Sequence, residues 1–252
     1  MAETSRKSLK RNAVLTAALV CLAATGLAGC GEQGSDEPFA GQSADDIAAK
    51  AVKATRDAES VRIAGTSKPQ GAPQAMTVDF QVDEQDNCQG TMSMKDAKAD
   101  VRQAGQSAYV KGNEPFWQAA LQGQPGTDKA IAQLQGKWVK SKPGDSSTQG
   151  MCDKQSMLAA MDDDKSERKG LKRGETTEVE GKEALTLTKE QGDGEKLTLY
   201  VATEGEPFIL KTVTQGGKQP GEATFTDYNA KVRVEQPPAG EVVDPAKVSV
   251  SG

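Results

Sequence analysis

Between Met76 and Asp83 the side chains alternate without a break. Met76, Val78, Phe80 and Val82 are apolar, and Thr77, Asp79, Gln81 and Asp83 are polar. Successive side chains of an extended chain point to opposite faces, so this period describes a half-buried β-strand with one wet face. Burying one face also fixes register, because a slip of one residue would turn every apolar side chain to water. Strand character begins at Val61, and the pattern recurs along the chain. Gln85-Asp86-Asn87 reads as a turn, and Gln89–Met94 returns with Gly90, Met92 and Met94 on one face. Further strands are expected at 98–104, 107–111 and 137–140. In the last third, Ala184–Thr188 and Lys196–Val201 alternate across Gln191-Gly-Asp-Gly194, a hairpin signal. Phe208–Val213, Ala223–Tyr228 and Lys231–Glu235 are expected to continue the meander until Pro237-Pro238 stops it.

Helical periodicity is confined to short stretches. Ser43 reads as an N-cap, Asp45 and Asp46 suit the first turn, and Ile47, Ala51, Val52, Ala54 and Ala58 recur near helical spacing. That predicts an amphipathic helix over 44–58, with shorter ones at 115–121, 128–135 and 153–161. Many short strands with few helices predict an α+β domain, an antiparallel sheet covered on one side by helices. Leu, Ile, Val and Phe make up only about 15 % of residues 30–252, a level at which a charged chain is suspected of disorder. The alternation argues for folding, because disordered acidic chains do not alternate.

The first 29 residues read as a signal peptide. Arg6, Lys7, Lys10 and Arg11 precede an apolar run from Ala13 to Leu27 that is short for a membrane span, and small residues follow. Leu27-Ala28-Gly29-Cys30 has the order of a bacterial lipobox, in which the Cys30 thiol takes diacylglycerol and the chain is cut before it. The expected organisation is a lipidated Cys30 with a flexible tether to residue 42, one domain over 43–243, and a C-terminal tail over 244–252. The expected location is the extracytoplasmic face of the cell membrane, held by acyl chains on Cys30, palmitate among them.

Removal of residues 1–29 also changes the charge. The whole chain carries −5, whereas residues 30–252 hold 27 Lys+Arg against 35 Asp+Glu, a net of −8. Such a balance excludes a general nucleic-acid binder. The absence of histidine excludes Ser–His–Asp and Cys–His catalysis, imidazole metal sites and a histidine pH switch. No nucleophile-elbow, Walker or dinucleotide motif is present. No cofactor and no enzymatic activity are expected. Asp162-Asp-Asp164 with Glu167 lacks the ligand alternation of a calcium loop, and the basic stretch from Lys165 to Arg173 reads as an exposed loop. Cys88 and Cys152 are the thiols left after processing, and an even count outside the cytoplasm predicts a disulfide between them.

Several segments in order resemble one family. They are the Cys30 lipobox, Ser43-Ala-Asp-Asp-Ile leading into Ser60-Val-Arg-Ile-Ala-Gly-Thr66, Ala108-Tyr-Val-Lys-Gly112 before Phe116-Trp117, and Gly136-Lys-Trp-Val-Lys140. Leu199-Tyr-Val-Ala202, Glu206-Pro-Phe-Ile-Leu210, Phe225-Thr-Asp-Tyr228 and Pro237-Pro238 follow. Together they resemble the LppX/LprA/LprF/LprG group of actinobacterial cell-envelope lipoproteins. The resemblance implies a strongly curved antiparallel half-barrel similar to LolA and LolB, with helices across its concave side. It also implies an apolar cavity between sheet and helices that accepts acyl chains, and no catalytic residues. On this reading the cavity candidates are Met76, Val78, Phe80, Val82, Met92, Met94, Leu197, Leu199 and Val201, which also have to supply the core together with Leu185 and Leu187. The partners expected are the membrane, through Cys30, and a lipid. The alternative is an envelope scaffold or interaction module with a filled core, whose protein partner the residues do not name.

Overall fold

The computed structural model of the chain describes residues 37–68, 70–141, 152–159 and 169–248. The signal segment, Cys30, Met161, the Asp162–Asp164 run and Glu167 lie outside these residues.

Twelve strands and four α-helices occupy the described residues. An N-terminal run begins with helix α1 (Ala44–Asp57) and strands β1 (Ser60–Ser67), β2 (Met76–Asp83), β3 (Cys88–Met94), β4 (Ala97–Ala104) and β5 (Ser107–Gly112). Helices α2 (Glu114–Ala120) and α3 (Thr127–Leu134), strand β6 (Trp138–Lys140) and helix α4 (Lys154–Ala159) follow. A C-terminal run holds β7 (Lys172–Val179), β8 (Lys182–Glu190), β9 (Lys196–Ala202), β10 (Ile209–Gln215) and β11 (Gly221–Thr226), with β12 (Val242–Val243) at its end. All twelve join one curved sheet in the order β12-β6-β5-β4-β3-β2-β1-β11-β10-β9-β8-β7. Every pairing is antiparallel except β12 with β6. Two hairpin meanders therefore meet at a single seam, β1 against β11.

Local chemistry explains the helices. The Ser43 Oγ accepts the Asp46 N–H at 3.1 Å, Asp45 and Asp46 face the helix dipole, and Ala44, Ile47, Ala48, Ala51, Val52 and Thr55 form the buried stripe of α1. Asn113 caps α2 by accepting the Phe116 N–H, with Pro115 in the first turn, where its missing N–H costs nothing. Buried residues of all four helices, including Ile47, Trp117, Ile131 and Leu158, share one apolar core with the inward rows of the sheet. Helix α4 is tied in twice. The Cys88–Cys152 disulfide, with Cα atoms 5.4 Å apart, joins its start to β3. The Lys154 ammonium, buried at 2 % exposure, donates to the carbonyls of Arg56 and Ala58 at the C-terminus of α1 and lies 3.5 Å from Glu84.

Four sequence expectations are corrected. Lys231–Glu235 is not a strand: β11 already pairs with β1 and β10, so no ladder position beside it is free. The chain instead runs to the far edge of the sheet, where the Arg102 guanidinium donates to the Glu235 carbonyl at 3.1 Å and β12 pairs with β6. Within the basic stretch read as a loop, Lys172 and Arg173 open the edge strand β7, and Leu171 is buried. Residues 37–42, expected within the tether, lie on the domain. Arg173 donates to the carbonyls of Pro38 and Phe39, and Phe39 packs against the core. The first residues of the expected tail are ordered in the same way, with Asp244 capping a 3₁₀ turn at Pro245–Lys247 and Val248 against the core.

Candidate functional site

The register of five central strands builds a cavity. One row across the inner face runs Val78, Gly65, Ala223, Thr212, Leu199, and the next runs Met76, Ser67, Gly221, Thr214, Leu197. Each row is large at its two ends and small in the middle three strands. Side chains of Gly, Ala, Ser and Thr cannot fill the depth that Val, Met and Leu fill on either side, so a hollow of about 480 Å³ forms above the seam. That volume falls in the range of roughly 300–1,000 Å³ usual for small-molecule sites. The row below is large throughout on β1, β2 and β11, with Phe80, Ile63 and Phe225, and closes the bottom.

Val52 of α1 supplies the roof, and the position of α1 is fixed by a hydrogen-bonded pair of side chains at a β-bulge. Register shifts between Ile209 and Lys211, and the Ile209 backbone turns to side chains for partners. Its N–H donates to Thr55 Oγ1 at 3.0 Å, and its carbonyl accepts from the Tyr228 hydroxyl at 2.6 Å. Burial pushes the Tyr228 hydroxyl far above the ordinary tyrosine range, and so it stays protonated and keeps donating. Tyr228 is also stacked on Phe208, with ring centroids 4.0 Å apart.

The cavity has a graded lining. Leu199 and Ile209 are buried at its base and Val52 is buried in its roof, whereas Met76, Lys218 and Gln219 are exposed at its mouth. Gln191 and Glu195 of the β8–β9 turn complete the rim. Main-chain bonds tie the rim together: the Lys68 N–H donates to the Pro220 carbonyl at 2.9 Å, and the Gln70 N–H to the Lys218 carbonyl at 2.6 Å. An apolar base under a ring of Gln, Lys and Glu side chains suits an amphipathic molecule with its hydrocarbon end inward.

Of the nine residues expected at a cavity, Met76, Val78, Leu197 and Leu199 line this one. Phe80, Val82 and Val201 are buried in the packed core at 3 %, 0 % and 0 % exposure. Met92 is half-buried beside them, and Met94 is exposed one row further out; both lie outside the cavity lining. The residues that make the hollow, Gly65, Ala223, Thr212, Thr214 and Gly221, have no apolar signal of their own. Only strand register, with the neighbours' sizes, could have singled them out.

An open curved antiparallel sheet with helices gathered on one face is the fold of the LppX/LprG-type lipoproteins. LprF from Mycobacterium bovis superposes with a TM-score of 0.51 at 13 % identity, over 77 % of this chain and 96 % of that one. The lipoprotein LppX from Mycobacterium tuberculosis aligns at a TM-score of 0.48 and 14 % identity, over 77 % of this chain and 100 % of that one. A LolA superfamily protein from Nitrosomonas europaea aligns over 78 % of this chain and 96 % of that one, at 0.27 and 9 % identity. At such identities the likeness to LprF is one of fold. No family model matches the sequence, and no curated protein does.

Proposed function

We propose that the chain is a non-enzymatic cell-envelope lipoprotein, anchored to the extracytoplasmic face of the membrane by diacylglycerol on Cys30, that binds a lipid or other hydrophobic ligand between α1 and the sheet. The observation that carries this reading is the hollow of about 480 Å³ under Val52, closed by apolar side chains and open to a polar rim. Each methylene moved from water into such a site contributes roughly 0.8 kcal/mol, against the cost of immobilising the ligand. Recognition would be by shape, and a carrier role would use the same site in both directions. The scaffold alternative required a filled core, and a hollow of this size weighs against it.

The test uses the full chain with Cys30→Ala, which removes the lipidation site, and a fluorescent fatty-acid probe. The probe binds this protein, and Thr212→Phe, which places a ring in the hollow, abolishes binding while the melting temperature holds. Equal probe binding by both proteins would refute the assignment of the site. Fractionation of cells checks the anchor: Cys30→Ala leaves the membrane, and a variant that stays there contradicts lipidation at Cys30.

A further inference from the structure

The cavity mouth lies at one end of the sheet, where β1, β8 and β10 finish and β2, β9 and β11 begin. Two further features gather there. Met76 on the rim pairs in register with Met94, and the two are 37 % and 41 % exposed. Among the described residues, they are the large hydrophobic side chains left open to water. The N-terminal segment is pinned at the same level of the sheet. Arg173, which holds Glu37, Pro38 and Phe39, stands in one row with Leu187 and Leu199. Leu199 ends the upper cavity row, two strand spacings or about 10 Å from Arg173. Only the seven residues from Cys30 to Asp36 separate the lipobox cysteine from Glu37. Fully extended, they span at most about 25 Å. An anchor on Cys30 therefore tethers the domain by its cavity end.

Charge also separates the two ends. The loops at the cavity end (β1–β2, β3–β4, β8–β9 and β10–β11) carry Lys68, Lys95 and Lys218 against Asp96, Asp193 and Glu195, a balance of zero. The turns at the opposite end (α1–β1, β2–β3, β7–β8 and β9–β10) carry Glu59, Glu84, Asp86, Glu180, Glu204 and Glu206, with no lysine or arginine. Lys154 offsets Glu84 alone among these. An anionic lipid surface repels the acidic end and lets the neutral, methionine-tipped end approach.

We propose that this end of the sheet lies against the phospholipid surface that anchors the chain, with Met76 and Met94 set into the interface and the cavity opening onto the lipid. This rests on lipidation at Cys30 and adds to the lipid-binding reading the face through which the ligand enters. Methionine suits such a position, since its flexible thioether side chain adapts to irregular apolar partners. A hydrocarbon chain then moves from bilayer to cavity over Met76 without crossing bulk water, which would oppose its exposure.

The test uses the chain purified from its own membrane and reconstituted into vesicles of phosphatidylcholine and phosphatidylglycerol. With Cys30 lipidated and Cys88 bonded to Cys152, Met94→Cys or Glu204→Cys supplies a single free thiol for an environment-sensitive fluorophore. Met94 marks the cavity end, and the exposed Glu204 marks the acidic end. The Met94→Cys label shifts to the blue, loses emission to doxyl-labelled lipid and is shielded from aqueous iodide. The Glu204→Cys label stays water-like, is quenched by iodide and is untouched by doxyl lipid. The proposal is overturned if the two labels respond alike, or if the Glu204→Cys label is the one that lipid quenches. It is equally overturned if the Met94→Cys label is shielded from iodide yet beyond the reach of doxyl lipid, which would mean that a second copy of the chain covers this end. Failure of the unlabelled chain to float with the vesicles is a different result: it overturns lipidation at Cys30, and this proposal with it.

Discussion

Thr55 shows how a single side chain holds the cavity roof. Its hydroxyl oxygen takes the Ile209 N–H at a bulge where the strand ladder is irregular, and the same turn of α1 carries Val52. Thr55→Val keeps the shape and removes the acceptor, leaving the Ile209 N–H buried and unpaired. Chemical denaturation is expected to show a loss of about 1–3 kcal/mol; an unchanged midpoint would mean that the bond contributes nothing. The alternating pattern made Met76, Val78, Leu197 and Leu199 legible as one face, and all four line the hollow. It could not separate them from Phe80, Val82 and Val201, which obey the same period deeper along the strands. Period gives the face of a residue, and depth depends on what packs opposite. Thr212 and Ala223 were invisible for a related reason: their role comes from being smaller than Val78 and Leu199 at the two ends of their row.

At the scale of elements, α1 and α4 are coupled through Lys154 and anchored to the sheet through Cys88–Cys152. The disulfide closes a loop with a sequence separation of 64, for which chain entropy gives a stabilisation of about 4 kcal/mol. Cys88→Ala with Cys152→Ala should lower the unfolding free energy by about that amount, whereas a change under about 1 kcal/mol would show that the reduced chain is already restrained. The pair was readable from cysteine count alone. The α1 helix was also readable, from its cap and apolar spacing. The edge strand β7 was not, because an edge exposes most of its side chains and Lys172–Val179 is polar along nearly all its length. Lys231–Glu235 failed in the opposite sense: its residues alternate, but the sheet offers no edge beside β11.

For the whole molecule, the consequential junction is the β1–β11 seam, the one place where the two meanders pair. A Cβ on Gly65 would lie 2.5 Å from the Glu222 carbonyl oxygen and 3.0 Å from Ala223, main chain that cannot swing aside. Gly65→Ala should cost about 2 kcal/mol or more in thermal or chemical unfolding. Gly240→Ala, with nothing within 4 Å of its Cβ, should stay within about 0.5 kcal/mol. Equal effects at the two sites would contradict the close approach at the seam. The antiparallel sheet with helices on one face was legible in the turn-punctuated alternation, but a hollow is a difference in size between paired residues, and pairing across the seam joins positions more than 150 apart in sequence, such as Ile63 and Phe225.

The lipid-binding reading is tested most directly by purifying the full chain from its own membrane, extracting it with organic solvent and identifying what is released by mass spectrometry. The account predicts an acyl-chain lipid close to one per chain, beyond the lipid on Cys30, and its loss in Thr212→Phe. Recovery of no lipid from the wild-type chain, or of equal amounts from both proteins, would contradict it.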